Sequence, residues 1–326
     1  MSGDFAPTET LRGAVLAAEK FDAEIILVGD RKVIEKTASE LQADISRFEI
    51  IQADSVVTME DDPLCVLHAK RDSSICVGLR LLADGGGDVF ISAGNTGALF
   101  TAATLIVRKL PGVQRAAIAS VLPMNPPLLL LDAGANVTVT DEYLEQFAVM
   151  GSVYMRKVFG LESPRVGLLN NGAEECKGTQ LQIDAYKRLG ANENINFVGN
   201  IEANRIPNNA CDVLVTDGFT GNILLKSIEG MGKLMAGLLR DNFNANIRTK
   251  AAGLLMKDRI GVIKSSFDAS TYGGAPLLGL RRPVIKAHGS SKSKAIMNAV
   301  GQAISYTGTG VTDQVAEVLK TLKGKS

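Results

Sequence analysis

The segment DVLVTDGFTGNILLK, Asp212–Lys226, restricts the chain to a narrow choice of folds. From Asp212 to Asp217, β-branched and leucine side chains alternate as they do in a strand. Gly218 and Gly221 then bracket a short turn, and an apolar helical repeat sets in at Ile223. Leu224, Ile228, Met231, Met235 and Leu238 recur at three- and four-residue steps and so share one helix face. A strand that passes through glycines into a helix N-terminus gathers unsatisfied N–H groups at the positive end of a helix dipole. Such a place suits an anion. Asn222 falls at the expected cap with a side-chain amide to spare. Taken alone, the segment is more safely read as an ordinary βα turn, and the anion reading depends on how many such turns the chain holds.

Strands and helices alternate along its length. Strands are expected at Glu24–Val28, Phe48–Gln52, Asp88–Ala93, Ala116–Leu122, Leu128–Asp132, Arg165–Asn170, Asn194–Val198, Asp212–Asp217 and Val284–Ala287. Helices are expected over Leu11–Phe21 and Arg31–Leu41, over Pro63–Leu82 with a break near Asp72–Ser74, and from Ala98 to Lys109. Others follow Thr140, an N-cap, and Lys177, and one contains Ala295–Val300. This alternation predicts one α/β unit, a largely parallel sheet with helices on both faces, across residues 1–326. Residues 227–267 read instead as continuously helical. Within them Ile247, Ala251, Leu254 and Leu255 fall on one side, while Arg248, Lys250, Lys257, Arg259 and Lys264 supply positive charge. A basic amphipathic segment can lie on an anionic membrane, through Leu254, Leu255, Lys250 and Lys257, or form a helical hairpin against a second subunit.

Four small-residue turns follow short apolar strands: AGNTGA at 93–98, DAGANV at 132–137, DGFTGN at 217–222 and HGSS at 288–291. In a parallel sheet the strand C-termini share one edge, where ligands bind, so these turns are expected to converge on a phosphate-bearing ligand. The candidate contacts are Gly94, Asn95, Thr96, Gly97, Gly134, Asn136, Gly218, Gly221, His288, Gly289 and Ser290. Lys177 follows a strand and precedes a helix, where a cation is disfavoured unless an anion lies beside it.

Several chemistries lose ground. There is neither a dinucleotide fingerprint nor a P-loop, and no G-x-S-x-G elbow, so no cofactor is expected. With two histidines and four scattered cysteines, no metal site and no disulfide framework are indicated. Lys plus Arg equals Asp plus Glu at 35 each, so no global field attracts nucleic acid. No secretory leader or bilayer-length apolar run is read, and a reducing cytoplasm is the expected setting.

The motifs AGNTGAL, LDAGANV, EECKG, NFVGNIEANRI, DVLVTDGFTGNILLK, GGAPLLGL and AHGSS closely resemble the bacterial phosphate acyltransferases (PlsX), in the same order from Gly3 to about Val300. The resemblance implies a fold similar to isopropylmalate dehydrogenase and phosphotransacetylase, and a homodimer. It also implies transfer of a fatty acyl group from acyl-[acyl-carrier-protein] to inorganic phosphate. The acyl phosphate would feed a membrane glycerol-3-phosphate acyltransferase in phospholipid synthesis, with peripheral membrane association. Lys177 and Asn222 match the positions at the family's reaction centre. Family members usually begin with a strand ending Asp-Ala-Met-Gly-Gly-Asp. This sequence starts at Met1-Ser2-Gly3-Asp4, so unpaired neighbouring backbone is expected there. A phosphotransacetylase using acyl-coenzyme A and a non-catalytic, membrane-attached carrier-protein binder remain as alternatives. A metal-dependent hydroxyacid dehydrogenase is more distant, since clustered aspartates are lacking.

Overall fold

The structure, a computed structural model, describes residues 1–256 and 272–323. In chain order these form α1 (Thr8–Lys20), β1 (Ile26–Gly29), α2 (Arg31–Leu41), β2 (Glu49–Gln52), a 3-10 turn (Pro63–Leu67), α3 (Ser74–Ala83), β3 (Phe90–Ser92) and α4 (Thr96–Ile106). The hairpin β4 (Ala117–Leu122) and β5 (Leu128–Leu131) comes next. It is followed by α5 (Asp141–Phe159), β6 (Arg165–Asn170), α6 (Gln180–Gly190), β7 (Asn196–Glu202) and β8 (Val213–Val215). The chain continues through α7 (Gly218–Asn244), α8 (Ile247–Leu255), β9 (Ala275–Leu278), β10 (Val284–Lys286), α9 (Ser293–Gly308) and α10 (Val311–Lys323).

Local chemistry sets the boundaries. Ser73 caps α3 by accepting from the Cys76 N–H, which accounts for the expected break at 72–74. Thr140 caps α5 as expected, accepting from Tyr143. The breaker PMNPP closes the β4–β5 hairpin, since proline cannot donate to a ladder.

One sheet has eight strands in the order β3-β10-β9-β4-β5-β8-β6-β7, and β1 and β2 form a separate parallel pair. Most neighbours are parallel, and helices cover both faces. Leu128–Leu131 is consequently buried at every position, with Leu129 and Leu131 in one core and Leu128 and Leu130 in the other. The first core packs under α5, α6 and α10, and the second under α3, α4 and the start of α7. Met1 lies against Gly29 of β1 and Gly3 against Ala93 just beyond β3, so the first residues run between the two sheets.

Strand direction corrects one expectation. β3 and β10 are parallel, β9 opposes β10, β4 opposes β9, and β5 opposes β4, with β8, β6 and β7 parallel to β5. The β3/β10 set therefore runs opposite to the β5/β8/β6/β7 set. The turns at 93–98 and 288–291 leave one edge of the sheet, and those at 132–137 and 217–222 leave the other. Shared strand polarity cannot bring these four turns together.

Candidate active site

The long helix α7 joins the two edges. It starts beside the 132–137 turn and crosses the face floored by β4 and β9. The eight-residue step from Gly218 to Lys226 rises about 12 Å, close to the length of a four-residue strand. At that height Lys226 Nζ comes within 3.3 Å of His288 Nε2, at the opposite edge. Between α7, the N-terminus of α4 and the sheet lies a cavity of about 1710 Å3. Thr96, Gly134, Asn222, His288, Gly289 and Ser290 all face it, so residues from each of the four turns meet there.

At the lower rim the turn is wound around its own carboxylate. Asp132 is fully buried and its Oδ1 accepts from the N–H groups of Ile118, Gly134 and Ala135 at 3.0–3.1 Å. Its Oδ2 accepts from the backbone N–H and the side-chain amide of Asn136, at 2.7 and 2.8 Å. Burial pushes the Asp132 carboxyl up from its ordinary value, while the bonds from Ala135, Asn136 and Gly134 pull it down. The second amide hydrogen of Asn136 goes to Ala116 O at 2.8 Å. Gly134 and Asn136 were expected to offer N–H donors to phosphate; here those donors already serve Asp132. Gly134 contributes shape instead. Its φ of +139° is one that side-chain-bearing residues avoid, and it leaves the chain lying against Asn222.

The helix begins earlier than the apolar repeat indicated. Asp217 is the N-cap, accepting from Thr220 N–H at 2.8 Å, so Asn222 lies one turn inside α7 with its side chain at the cavity wall. Gly218 and Gly221 act by close approach. A Cβ on Gly218 would sit 2.8 Å from Asn136 N, and one on Gly221 would overlap the carbonyl oxygen of Asp132. They let the first turn of α7 rest on the 132–136 turn, which fixes where Asn222 points.

At the upper rim Asn95 caps α4 by accepting from Ala98 N–H, and its amide donates to Met59 and Asp61 carbonyls. Gly97 packs against Pro63, which leaves Thr96 as the residue of that turn on the cavity wall, beside a Gly94 packed under Ser2. His288 Nε2 lies 3.3 Å from Lys226 Nζ, while Nδ1 accepts from the Ser290 N–H at 3.2 Å and lies 2.8 Å from Ser290 Oγ. Burial first, then Lys226, pushes His288 below its ordinary value, consistent with a neutral ring.

Lys177 sits on the loop after β6, adjacent to β8 in the sheet, and so on the same edge as the start of α7. Its side chain is exposed and is not on the cavity wall with Asn222. Farther along, α8 folds back on α7, with Gly253 against Phe243, as a helical hairpin. Lys250 lies on the cavity wall, and Leu255 is 88% exposed. Lys257 and the expected helix beyond it lie outside the described residues, as does the Leu254 side chain.

Lys226, Lys286 and Ser291 also face the cavity and were missed by the sequence reading. The legible signal was a lysine inside the buried run Val284–Ala287, since a charge in a strand covered on both faces needs a reason.

A family model described as "Fatty acid synthesis protein" matches residues 1–314. A phosphate acyltransferase of Caldanaerobacter subterraneus is 43% identical over 322 residues, covering 98% of this chain and 96% of that protein. The chain belongs to the phosphate acyltransferase family. A phosphate acyltransferase of Bacillus subtilis is 41% identical over 326 residues, covering 99% of this chain and 97% of its own length. Among solved structures, a phosphotransacetylase from Streptococcus pyogenes superposes with a TM-score of 0.63 at 17% identity, covering 93% of this chain and 91% of its own. One from Staphylococcus aureus gives 0.59 at 16%, covering 91% and 90%. At these identities the likeness is one of fold, and it agrees with the phosphotransacetylase-like architecture that the phosphate acyltransferase motifs imply.

Proposed function

We propose that this phosphate acyltransferase moves a fatty acyl group from acyl-[acyl-carrier-protein] to inorganic phosphate. The observation that carries the reading is the cavity itself. Its wall carries Asn222 with the cations Lys226 and Lys286, and also the apolar residues Leu225, Met235, Leu239 and Phe243. An oxygen of phosphate attacks the thioester carbonyl carbon, the tetrahedral oxyanion collapses, and the C–S bond breaks. The sulfur leaves as thiolate and takes up, through water, the proton that hydrogen phosphate gives up on becoming acyl phosphate. Phosphate is already nucleophilic and thiolate a fair leaving group, so no strong base is required. The protein's work is to hold the anion against the thioester and to stabilise the oxyanion, for which Asn222 Nδ2–H is a suitable donor. Lys177, on the same rim, supplies positive charge as the acyl donor arrives.

Trapping acyl phosphate with hydroxylamine tests this directly. Product is expected from acyl-carrier-protein plus phosphate, with acyl-coenzyme A a poor donor. Equal or better kcat/KM with acyl-coenzyme A would make the protein a phosphotransacetylase. A carrier-protein complex with no product from either donor would make it a non-catalytic binder.

The exposed apolar residues Met231, Leu234 and Leu238 on α7, with Ile247 and Leu255 on α8, support a homodimer and peripheral contact with an anionic membrane. There the product would pass to a membrane glycerol-3-phosphate acyltransferase. Among the described residues no helix is long and apolar enough to cross a membrane. Leu255→Glu is expected to abolish co-sedimentation with anionic vesicles and to leave turnover of soluble donor unchanged. Undiminished co-sedimentation would remove α8 from the membrane contact.

A further inference from the structure

We infer that Lys286, together with Lys226 and Ser291, holds the phosphate acceptor as a dianion, one helical turn from Asn222. The assignment rests on phosphate being the acceptor, as proposed above, and adds the groups that bind it. Lys286 closes β10 and is only 8% exposed, yet it faces the cavity. One of its three N–H donors goes to the Ala287 carbonyl, which leaves two for a ligand. Lys226 engages Glu229 at 2.9 Å and His288 at 3.3 Å and keeps a third donor. Ser291, also 8% exposed and on the same wall, buries a hydroxyl that has no hydrogen-bond partner among the described residues. A buried hydroxyl without a partner and two ammonium groups on the wall of one cavity suit an anion bearing several acceptor oxygens. Lys226 and Asn222 are four residues apart on α7 and share one face, so a phosphate at Lys226 lies within reach of the carbonyl that Asn222 addresses.

Charge balance points the same way. The ionisable groups that share the cavity wall with Lys286 are Lys226, Glu229, Lys233 and Arg240 on α7, Lys250 on α8, Asp4 in the N-terminal segment, and His288, Lys292 and Lys294 after β10. Burial first, then Lys226, pushes the Lys286 ammonium down to about 8, and Asp4 opposes the shift. A dianion favours the charged form, so phosphate binding takes up a proton when pH exceeds that value. Affinity for the dianion falls as pH rises past about 8, where the ammonium is lost, and falls again on the acid side, where phosphate takes up a proton of its own.

Calorimetric titration of the full chain with inorganic phosphate alone, in two buffers of different ionisation enthalpy, reads affinity and proton uptake without an acyl donor. Lys286→Met is expected to weaken binding about tenfold or more and to abolish the uptake, because a charged hydrogen-bond partner is lost. The KM for phosphate should rise and lose its alkaline limb, with the KM for the thioester donor unchanged. Lys226→Met and Ser291→Ala are expected to weaken phosphate binding in the same direction, and they carry the test if the Lys286 variant melts prematurely. Wild-type phosphate affinity in all three variants would overturn the inference. So would a rise confined to the donor KM, which would place a phosphodiester of the donor at these lysines. A blank hydroxylamine assay with intact phosphate binding would count against the acyl-transfer reading alone.

Discussion

Replacing Asn222 by alanine is expected to lower acyl phosphate formation about a hundredfold, ~3 kcal/mol of transition-state stabilisation. The melting temperature should stay at the wild-type value. Asn222 is exposed at the cavity wall, one turn inside α7, and no core packs on its amide. What it lends is a donor placed before the reaction starts, so its loss should appear in kcat more than in the KM for either substrate. Lys177→Ala is expected to fall by a similar factor. Its exposed position predicts a larger share of the loss in the donor KM and a strong dependence on salt. Wild-type turnover by either variant in the hydroxylamine assay would remove that residue from the reaction centre.

The second large effect belongs to a residue that touches no substrate. Asp132→Ala would orphan the N–H groups of Ile118, Gly134, Ala135 and Asn136 together with the Asn136 amide. Each buried donor left without a partner costs about 1–3 kcal/mol. Their sum is comparable with the whole stability of an ordinary domain, roughly 5–15 kcal/mol. The variant is expected to accumulate poorly or to melt far below wild type in chemical denaturation. Asp132→Asn keeps one acceptor oxygen but sets an NH2 against N–H donors, and should fall between the two. A variant melting within a few degrees of wild type would mean that the turn holds its shape without the carboxylate.

Much of this architecture is legible in the residues, for reasons that differ by element. Thr140 and Ser73 act as caps because a side-chain oxygen before an apolar repeat has few other uses. Leu128–Leu131 reads as a strand buried on both faces because nothing polar interrupts it. β9 is not among the expected strands, because Pro276 and the glycines around it carry every mark of a turn. Pro276 has no N–H to donate, and it is paired only with Ile285 of β10, the pairing with β4 beginning at Leu277. Strand polarity leaves no trace in periodicity, so the reversal between β10 and β5 was invisible, and convergence was expected for the wrong reason. Glycine-rich turns likewise read as phosphate cradles. Yet at Gly134, Gly218 and Gly221 the absent side chain serves the meeting of two backbones, and the N–H groups answer to Asp132. The apolar repeat of α7 placed its start at Ile223, since a helix whose first turn is glycine and asparagine announces itself late.

The sheet order has a consequence for how the molecule comes into being on the ribosome. β4, β5, β6, β7 and β8 are all synthesised by Val215, and they can zip together as soon as they emerge. β3, made by Ser92, has its partner β10 only at Val284, and the seam between the halves waits for Ala275–Leu278. Through most of translation the nascent chain therefore carries two open strand edges and an unroofed apolar face, the condition in which chaperones find clients. Closure of that seam near the end of synthesis completes the sheet and, in the same event, brings His288 to Lys226.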